Sequence, residues 1–195
     1  MDQARIRAPT LVPFPGETMS TLTTTFGRPE SSEYAPYYGR YISLVDTDDV
    51  VSALERQIGE TVAILKPVGP KADYRYAPDK WTVKEVLGHI NDTERIMTYR
   101  ALRISRGDKT PIEGYEQDDY VRDGNFSQRT LADLIEEFTD IRKATLALFR
   151  SFDGDAATRR GTANKNEVSA RALAYIIAGH ELHHRQILRE KYLKL

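Results

Sequence analysis

The sequence predicts an all-α protein, a four-helix bundle with long connections between its helices. Four long segments repeat apolar residues every three or four positions, which is the spacing of one helix face. Good N-capping side chains precede these segments, and little of the chain alternates as a strand would. Because such faces are buried only against one another, the helices are expected to form a bundle whose order and directions stay open.

The first two helices are defined by their caps and by the residues that end them. The first is predicted to begin near residues 47–49 and to end before Pro67. The second follows a capping box formed by Thr82 and Glu85, and it ends near Gly107. The predicted apolar faces comprise Val51, Leu54, Ile58, Val62 and Leu65 in the first helix, and Val83, Val86, Leu87, Ile90, Met97, Ala101 and Ile104 in the second.

Long polar connections flank the third helix. Residues 107–126 form a loop with two tyrosines and an acidic cluster, and loops of this length in a compact domain are often functional. The third helix is predicted to start near Ser127. A second polar connection follows over residues 152–168, and Ser169 then caps the fourth helix. These connections are long enough to form walls over one end of the bundle.

Residues 1–32 are predicted to be a flexible leader, and residues 33–195 the bundle domain. Residues 1–40 hold five of the nine prolines and show no helical period. Met19 lies inside this segment and is an alternative start of the chain.

Composition excludes several classes of function. The chain has no Cys, which excludes disulfides, thiolate nucleophiles and cysteine-based metal sites. Its 28 basic and 29 acidic side chains give a formal net charge of −1, which argues against a nucleic-acid binder and against a polybasic membrane anchor. No segment is apolar for long enough to span a membrane, and the N-terminal segment lacks the pattern of an export signal, so we expect a cytoplasmic protein.

The four histidines are confined to two helices, with His89 in the second and His180, His183 and His184 in the fourth. His180 and His184 are about 40° apart around a helix, so their imidazoles share a face and can chelate one metal ion. Both continue the apolar stripe of their helix, and His89 interrupts the stripe of the second. Three neutral imidazoles meeting there would leave a fourth position for water or substrate, as in catalytic zinc sites.

Two alternatives stay open from the residues alone. His180 and His183 form a competing pair, although His184 lies nearer the line of the stripe. Inward-facing histidines can also be core residues whose ring nitrogens are satisfied by hydrogen bonds without a metal. Gly88 and Gly179 each precede an inward histidine, and their lack of side-chain bulk favours a close approach of helices.

Further candidates lie near the histidines. Asp92 and Glu94 are within about a turn of His89, where a carboxylate can orient an imidazole or act as a general base; the alternative is a solvated helix face. Arg100 is a candidate for binding an anionic substrate, or else it pairs with acids of the following loop. Glu181 is expected to face solvent.

Three segments carry a family resemblance, residues 33–45, 79–108 and 168–192. The pattern W-T-x-x-E-x-x-x-H, which ends at His89, and the pattern G-H-x-x-H-H, which ends at His184, resemble the DinB/YfiT family of metal-dependent enzymes. The resemblance covers roughly residues 33–195. It implies a four-helix bundle in which His89, His180 and His184 bind a divalent metal, zinc or nickel, and it implies a homodimer.

The better-understood members of that family are thiol-dependent transferases and isomerases. The leading hypothesis is therefore a metalloenzyme that acts on a small molecule, either as a hydrolase, with a water held by the three-histidine ion, or as a thiol-dependent transferase or isomerase. In the second case a low-molecular-weight thiol would supply the thiolate, because the chain has no Cys of its own. The rival hypothesis is a non-catalytic binding or structural protein in which the metal only fastens the second helix to the fourth. A coordination position facing a solvent-accessible pocket would distinguish the enzyme from the fastened bundle.

Overall fold

The computed structural model describes residues 25–194, and four long helices form its body. In chain order the elements are α1 (Gly39–Ile42), α2 (Val50–Leu65), α3 (Val83–Ser105), α4 (Gln117–Asp123), α5 (Leu131–Arg150), α6 (Gly154–Thr158), β1 (Arg160–Ala163), β2 (Asn166–Ser169) and α7 (Ala170–Ile187). A π-helical segment, Leu188–Leu193, continues α7. The predicted four-helix bundle is confirmed, and α2, α3, α5 and α7 are its helices.

Three of the long helices begin where their caps predict. The Asp49 carboxylate accepts a hydrogen bond from the backbone N–H of Ser52 at 3.0 Å, at the start of α2. Thr82 and Glu85 form the reciprocal capping box of α3, with distances of 3.1 and 2.6 Å. The Ser169 hydroxyl caps α7.

The helix α5 begins at Leu131, later than the predicted start near Ser127. The Thr130 side chain caps it by accepting a hydrogen bond from the Asp133 backbone N–H at 3.1 Å. The residues before it, Phe126–Gln128, form a 3-10 turn instead. Phe126 is buried against α3, where a Cβ on Gly88 would lie 2.4 Å from its ring. Gly88 thus admits a loop side chain, and this packing holds the turn away from a helical path.

The order of the helices around the bundle differs from their order in the chain. Around the bundle the long helices follow the cyclic order α2, α5, α3, α7, so that each packs against two others. Neighbours α3 and α5 run parallel, because Asn91 meets Leu134 and, further along both helices, Thr98 meets Thr145. The helices α2 and α7 also run parallel. The start of α3 lies beside the later part of α7, so these two helices are antiparallel.

The interior contains two apolar clusters with a polar layer between them. Residues 83–90 of α3 contribute to one cluster and residues 97–104 to the other. At the level between them, Glu94 of α3 and Arg142 of α5 form an ion pair that is excluded from solvent. This layer lies at the centre of the bundle.

The connection after α5 contains a β-hairpin, whereas the sequence predicted a polar connection without strands. Strands β1 and β2 pair antiparallel through a two-residue turn of Asn164 and Lys165, both with positive φ. Such a turn matches the right-handed twist of two short strands. The backbone of Ile112 bonds to Thr162 and Asn164, which ties the connection after α3 to the hairpin.

The described part of the chain is already packed before residue 33, the predicted start of the bundle domain. Phe26 is buried and its ring lies 6.4 Å from that of Phe149 and 6.0 Å from that of Phe152. Glu33 is buried in an ion pair with Arg171 of α7. The rest of the predicted leader, including Met19, lies outside the described residues.

No helix in residues 25–194 combines the length and the apolar character needed to cross a membrane.

Candidate metal centre

Three imidazoles converge where α3 meets α7. His89 lies in the first part of α3, and His180 and His184 lie one turn apart on α7. The Nε2 atoms of His89 and His180 are 3.0 Å apart, and those of His184 and His180 are 3.1 Å apart. One ring nitrogen from each histidine lies within 4.8 Å of the others. The structure therefore brings together the three histidines that the sequence singled out.

The converging nitrogens fit a bound cation better than a set of hydrogen bonds. An imidazole nitrogen offers one in-plane position, either a proton or a lone pair, yet Nε2 of His180 faces two other nitrogens. Three nitrogens at the usual zinc distance of about 2.0–2.1 Å would lie about 3.3 Å apart in a tetrahedron. The observed spacings are close to that value, and nitrogen donors suit zinc and nickel alike.

Burial keeps the three imidazoles in the form that binds metals. Desolvation lowers the pKa of His89 to about 4. Desolvation, and then the charge of the neighbouring histidines, holds the pKa values of His180 and His184 well below the ordinary value. All three rings are thus neutral at pH 7, with lone pairs available for a cation.

Aromatic side chains hold two of the imidazoles in place. The Trp81 ring packs on His89 with a centroid distance of 4.8 Å, and Tyr41 meets His180 edge-on at 5.3 Å. A Cβ on Gly179 would lie 2.0 Å from the Tyr41 carbonyl oxygen, so Gly179 lets α1 approach α7. Neither aromatic residue was predicted from the sequence to contact a histidine. Tyr41 lies in a run of tyrosines before the first long helix, and that run is the signal by which it could have been found.

His183 is not among the converging histidines. It is half-buried, and its ring lies 5.4 Å from that of Tyr41 and 5.2 Å from that of His184. Of the two pairs that the sequence left open, the structure therefore places His180 and His184 together with His89.

A cavity of about 360 Å³ lies against the site, beside the middle parts of α3 and α7. His180 and Ile176 of α7 form part of its wall, and the tyrosines of the segment around α1 form another part. The remaining walls come from α3, from the start of α4 and from the β-hairpin. Its volume is that of a small-molecule pocket. One imidazole of the three is thus in contact with a space that a substrate can enter.

The two carboxylates predicted near His89 lie in different surroundings. Glu94 is buried, and both of its oxygens accept hydrogen bonds from Arg142, at 2.7 and 2.9 Å. Asp92 is half-buried and lies 3.6 Å from Arg95. Burial raises the pKa of Asp92, while Arg95 opposes that effect. Among the described residues neither carboxylate bonds to a histidine, and their predicted role stays a prediction.

Arg100 lines the same cavity as His180. Its side chain is buried, and it donates one hydrogen bond to the carbonyl oxygen of Glu113 at 2.9 Å and a weaker one to the Met97 sulfur at 3.6 Å. The alternative that it pairs with an acidic side chain of the following loop is not realised in residues 25–194, where the contact is to a backbone carbonyl.

Glu181 does not face solvent as expected. It is buried and accepts a hydrogen bond from the Thr61 hydroxyl of α2. The reason is the helix order, because α7 is covered by α3 on one side and by α2 on another. Burial raises the pKa of Glu181.

Sequence comparison gives one family match. A family model described as the DinB superfamily matches residues 53–188, which include all three histidines. No curated protein matches the chain.

A solved structure has a similar fold. YfiT from Bacillus subtilis superposes with a TM-score of 0.64 over 85% of this chain and 91% of that one, at 15% sequence identity. That protein is described as a probable metal-dependent hydrolase with an unusual four-helix bundle topology.

Proposed function

The chain belongs to the DinB superfamily, and from the convergence of its three imidazoles beside a cavity we propose that it is a metal-dependent hydrolase of a small molecule. The observation that carries the proposal is the spacing of about 3 Å from the Nε2 atom of His180 to those of His89 and His184. The similarity of its fold to YfiT, a probable metal-dependent hydrolase, supports the same reaction class.

The residues of the chain have distinct tasks in this proposal. His89, His180 and His184 are the metal ligands, and Trp81 and Tyr41 hold two of the rings and exclude water around them. A divalent ion held there would supply Lewis acidity and would lower the pKa of a bound water. Zinc or nickel is the expected ion, since the donors are nitrogens.

Asp92 is the better candidate for a general base. Its carboxylate is half-buried one turn from His89; burial raises its pKa, and Arg95 opposes that effect. Glu94 has both oxygens engaged by Arg142. Its role in this proposal is structural.

Thiol transfer is the second candidate. Its thiol would have to come from a cosubstrate because the chain has no Cys, and that absence fits hydrolysis equally well. A homodimer remains a prediction from the family resemblance, and a cytoplasmic location remains a prediction from the sequence. A bundle that is merely fastened by its metal is disfavoured by the cavity, because a fastening site has no need of an imidazole in contact with open space.

The test begins with metal content. Untagged protein, purified without chelators, is analysed by mass spectrometry beside His180→Ala and the matched control His183→Ala. We expect about one zinc or nickel per chain in the parent and the control, and loss of the ion in His180→Ala. No metal in the parent, even after zinc or nickel is supplied, would overturn the proposal.

The reaction class is tested next on the loaded protein. A panel of esters, amides and lactams is assayed with and without added glutathione or bacillithiol. Turnover without thiol that is lost in His180→Ala supports the hydrolase. Turnover that requires the thiol supports the transferase, and unfolding on metal removal with no turnover of either kind supports the fastened bundle.

A further inference from the structure

Arg100 differs from the other buried charges of the described chain. Six charged side chains other than histidine are buried there: Glu33, Lys84, Glu94, Arg100, Arg142 and Glu181. Five of them have an oppositely charged side chain within 4.0 Å. Arg100 has none within residues 25–194, and its Nε is buried without a hydrogen-bond partner.

An unpaired buried guanidinium is costly to the folded state, because its hydration is lost without compensation. Arg142 shows the usual solution in this protein, a two-point bond to Glu94. Arg100 instead has one backbone carbonyl and one sulfur as partners, and it stands in the wall of the cavity that contains His180. The structure therefore holds a cation at the cavity whose counter-charge is not part of the described chain.

We infer that Arg100 binds the carboxylate of a substrate that carries a single negative charge, an inference that rests on the proposed function for the reacting end of that substrate. A guanidinium binds a carboxylate through charge-assisted hydrogen bonds, and the donors of Arg100 are matched within the described chain by only a backbone carbonyl and a sulfur. Neutral hydrogen-bonding groups, among them the amides of Asn164 and Asn166, line the same cavity.

The surrounding charges favour a monoanion over a phosphate. Glu116 and Asp118 are exposed and border the cavity, so a doubly charged group would be repelled at the opening more strongly than a single carboxylate. In the cavity wall of the described residues, Arg100 is the only Lys or Arg side chain. One cation balances one carboxylate.

The cavity also extends along α3 from the level of the histidines towards Arg100. The Arg100 guanidinium donates a hydrogen bond to Met97, which lies two helical turns from His89 on α3. Thr93 and Met97 line the cavity between the two levels. A substrate that reaches both levels is therefore expected to carry its carboxylate and its reacting group at opposite ends of an elongated molecule.

The test uses probes with two ends. Straight-chain dicarboxylic acid monohydroxamates carry a hydroxamate for the metal and a carboxylate for Arg100, and their ω-amide analogues lack only the charge. Binding is measured by calorimetry to zinc-loaded and metal-free protein. The variants are Arg100→Met, Arg100→Lys and the control Arg103→Met, which removes a partly exposed arginine one turn further along α3.

The carboxylate probe is expected to bind the parent and Arg103→Met about tenfold more tightly than the amide probe. That preference should disappear in Arg100→Met and weaken in Arg100→Lys, which keeps the charge without the planar fork. Equal binding of the two probes to the parent, a preference that survives in Arg100→Met, or no detectable binding of either probe would overturn the inference.

The two proposals fail in different ways. If zinc strengthens the binding of both probes equally and the carboxylate adds nothing, the metal site stands and the role of Arg100 falls. If zinc does not strengthen the binding of either probe, while metal-free protein prefers the carboxylate probe through Arg100, the role of Arg100 stands and the metal site falls. If Arg100→Met does not fold, the Nε–H resonance of Arg100 is followed by NMR in the parent instead, and it is assigned by its absence in Arg100→Lys. The carboxylate probe should shift this resonance and the amide probe should not.

Discussion

Replacement of Glu94 by Gln should destabilise the fold strongly. The Arg142 side chain is fully excluded from solvent and that of Glu94 is 2% exposed. Arg142 donates four hydrogen bonds, two to Glu94, one to the carbonyl of Leu54 and one to Gln57. Glu94→Gln keeps the shape of the side chain but leaves the guanidinium without a counter-charge. Removal of one partner of such a pair costs about 3–5 kcal/mol.

The loss can be measured by urea unfolding monitored by circular dichroism. The free energy of unfolding of small proteins falls by about 1–3 kcal/mol per molar urea, so the urea midpoint of Glu94→Gln should be roughly 2 M lower than that of the parent. Since small domains are stable by about 5–15 kcal/mol, the variant should still fold in the absence of denaturant. Metal content should remain at the level of the parent, because Glu94 does not bond to an imidazole in the described residues.

A double variant separates the energy of the Glu94–Arg142 ion pair from the energies of its other contacts. Glu94→Leu combined with Arg142→Met removes both charges, so no unpaired ion is left in the interior. The carbonyl of Leu54 and the amide of Gln57 then lose a donor, at about 1–3 kcal/mol each. We expect the double variant to be more stable than the sum of the two single losses predicts, by at least about 2 kcal/mol. Strictly additive losses, or an unchanged midpoint in Glu94→Gln, would refute the reasoning.

Two further predictions concern the packing and the acid stability of the fold. Gly179→Ala should lower the thermal midpoint and weaken metal binding, because its Cβ would lie 2.0 Å from the Tyr41 carbonyl oxygen. The control Gly59→Ala has open space around its Cβ and should stabilise α2 by about 0.5–1 kcal/mol. Equal effects of the two substitutions in scanning calorimetry would contradict this prediction. Burial alone would raise the pKa of Glu33, but hydrogen bonds, chiefly from Arg171, lower it from 4.5 to about 2. Its contribution of about 3 kcal/mol is therefore present above pH 4.5 and lost as the pH falls towards 2, so urea titrations across this range should show a pH dependence that Glu33→Gln lacks.

The fold could be predicted because its signals are local. Caps such as Thr82 with Glu85 and the repeat of apolar residues act within a few turns, and both were read directly from the sequence. The start of α5 was misplaced because Ser127 and Thr130 are both good caps, and the choice depends on Phe126 packing against α3. The hairpin was missed for a similar reason, since its strands are four residues long and depend on pairing with Ile112.

The histidine cluster could be predicted because its geometry follows from helix periodicity. His180 and His184 share a face on any α-helix, and His89 lies on an inward stripe. The surroundings of Glu94 and Glu181 could not be predicted, because they depend on which helices are neighbours. Glu181 is buried since α7 has neighbours on two sides, a fact that only the helix order contains.

The three histidines lie on long helices, whereas most of the cavity wall comes from the segment around α1, the start of α4 and the hairpin turn. Connecting segments accept insertions and substitutions far more readily than packed helices do. Over evolutionary time, relatives of this protein can therefore change which molecules the cavity admits by remodelling the connections, while the arrangement of the imidazoles is kept. Sequence divergence in this superfamily should accordingly be concentrated in the segments that link the helices, and the spacing of the histidines should vary least.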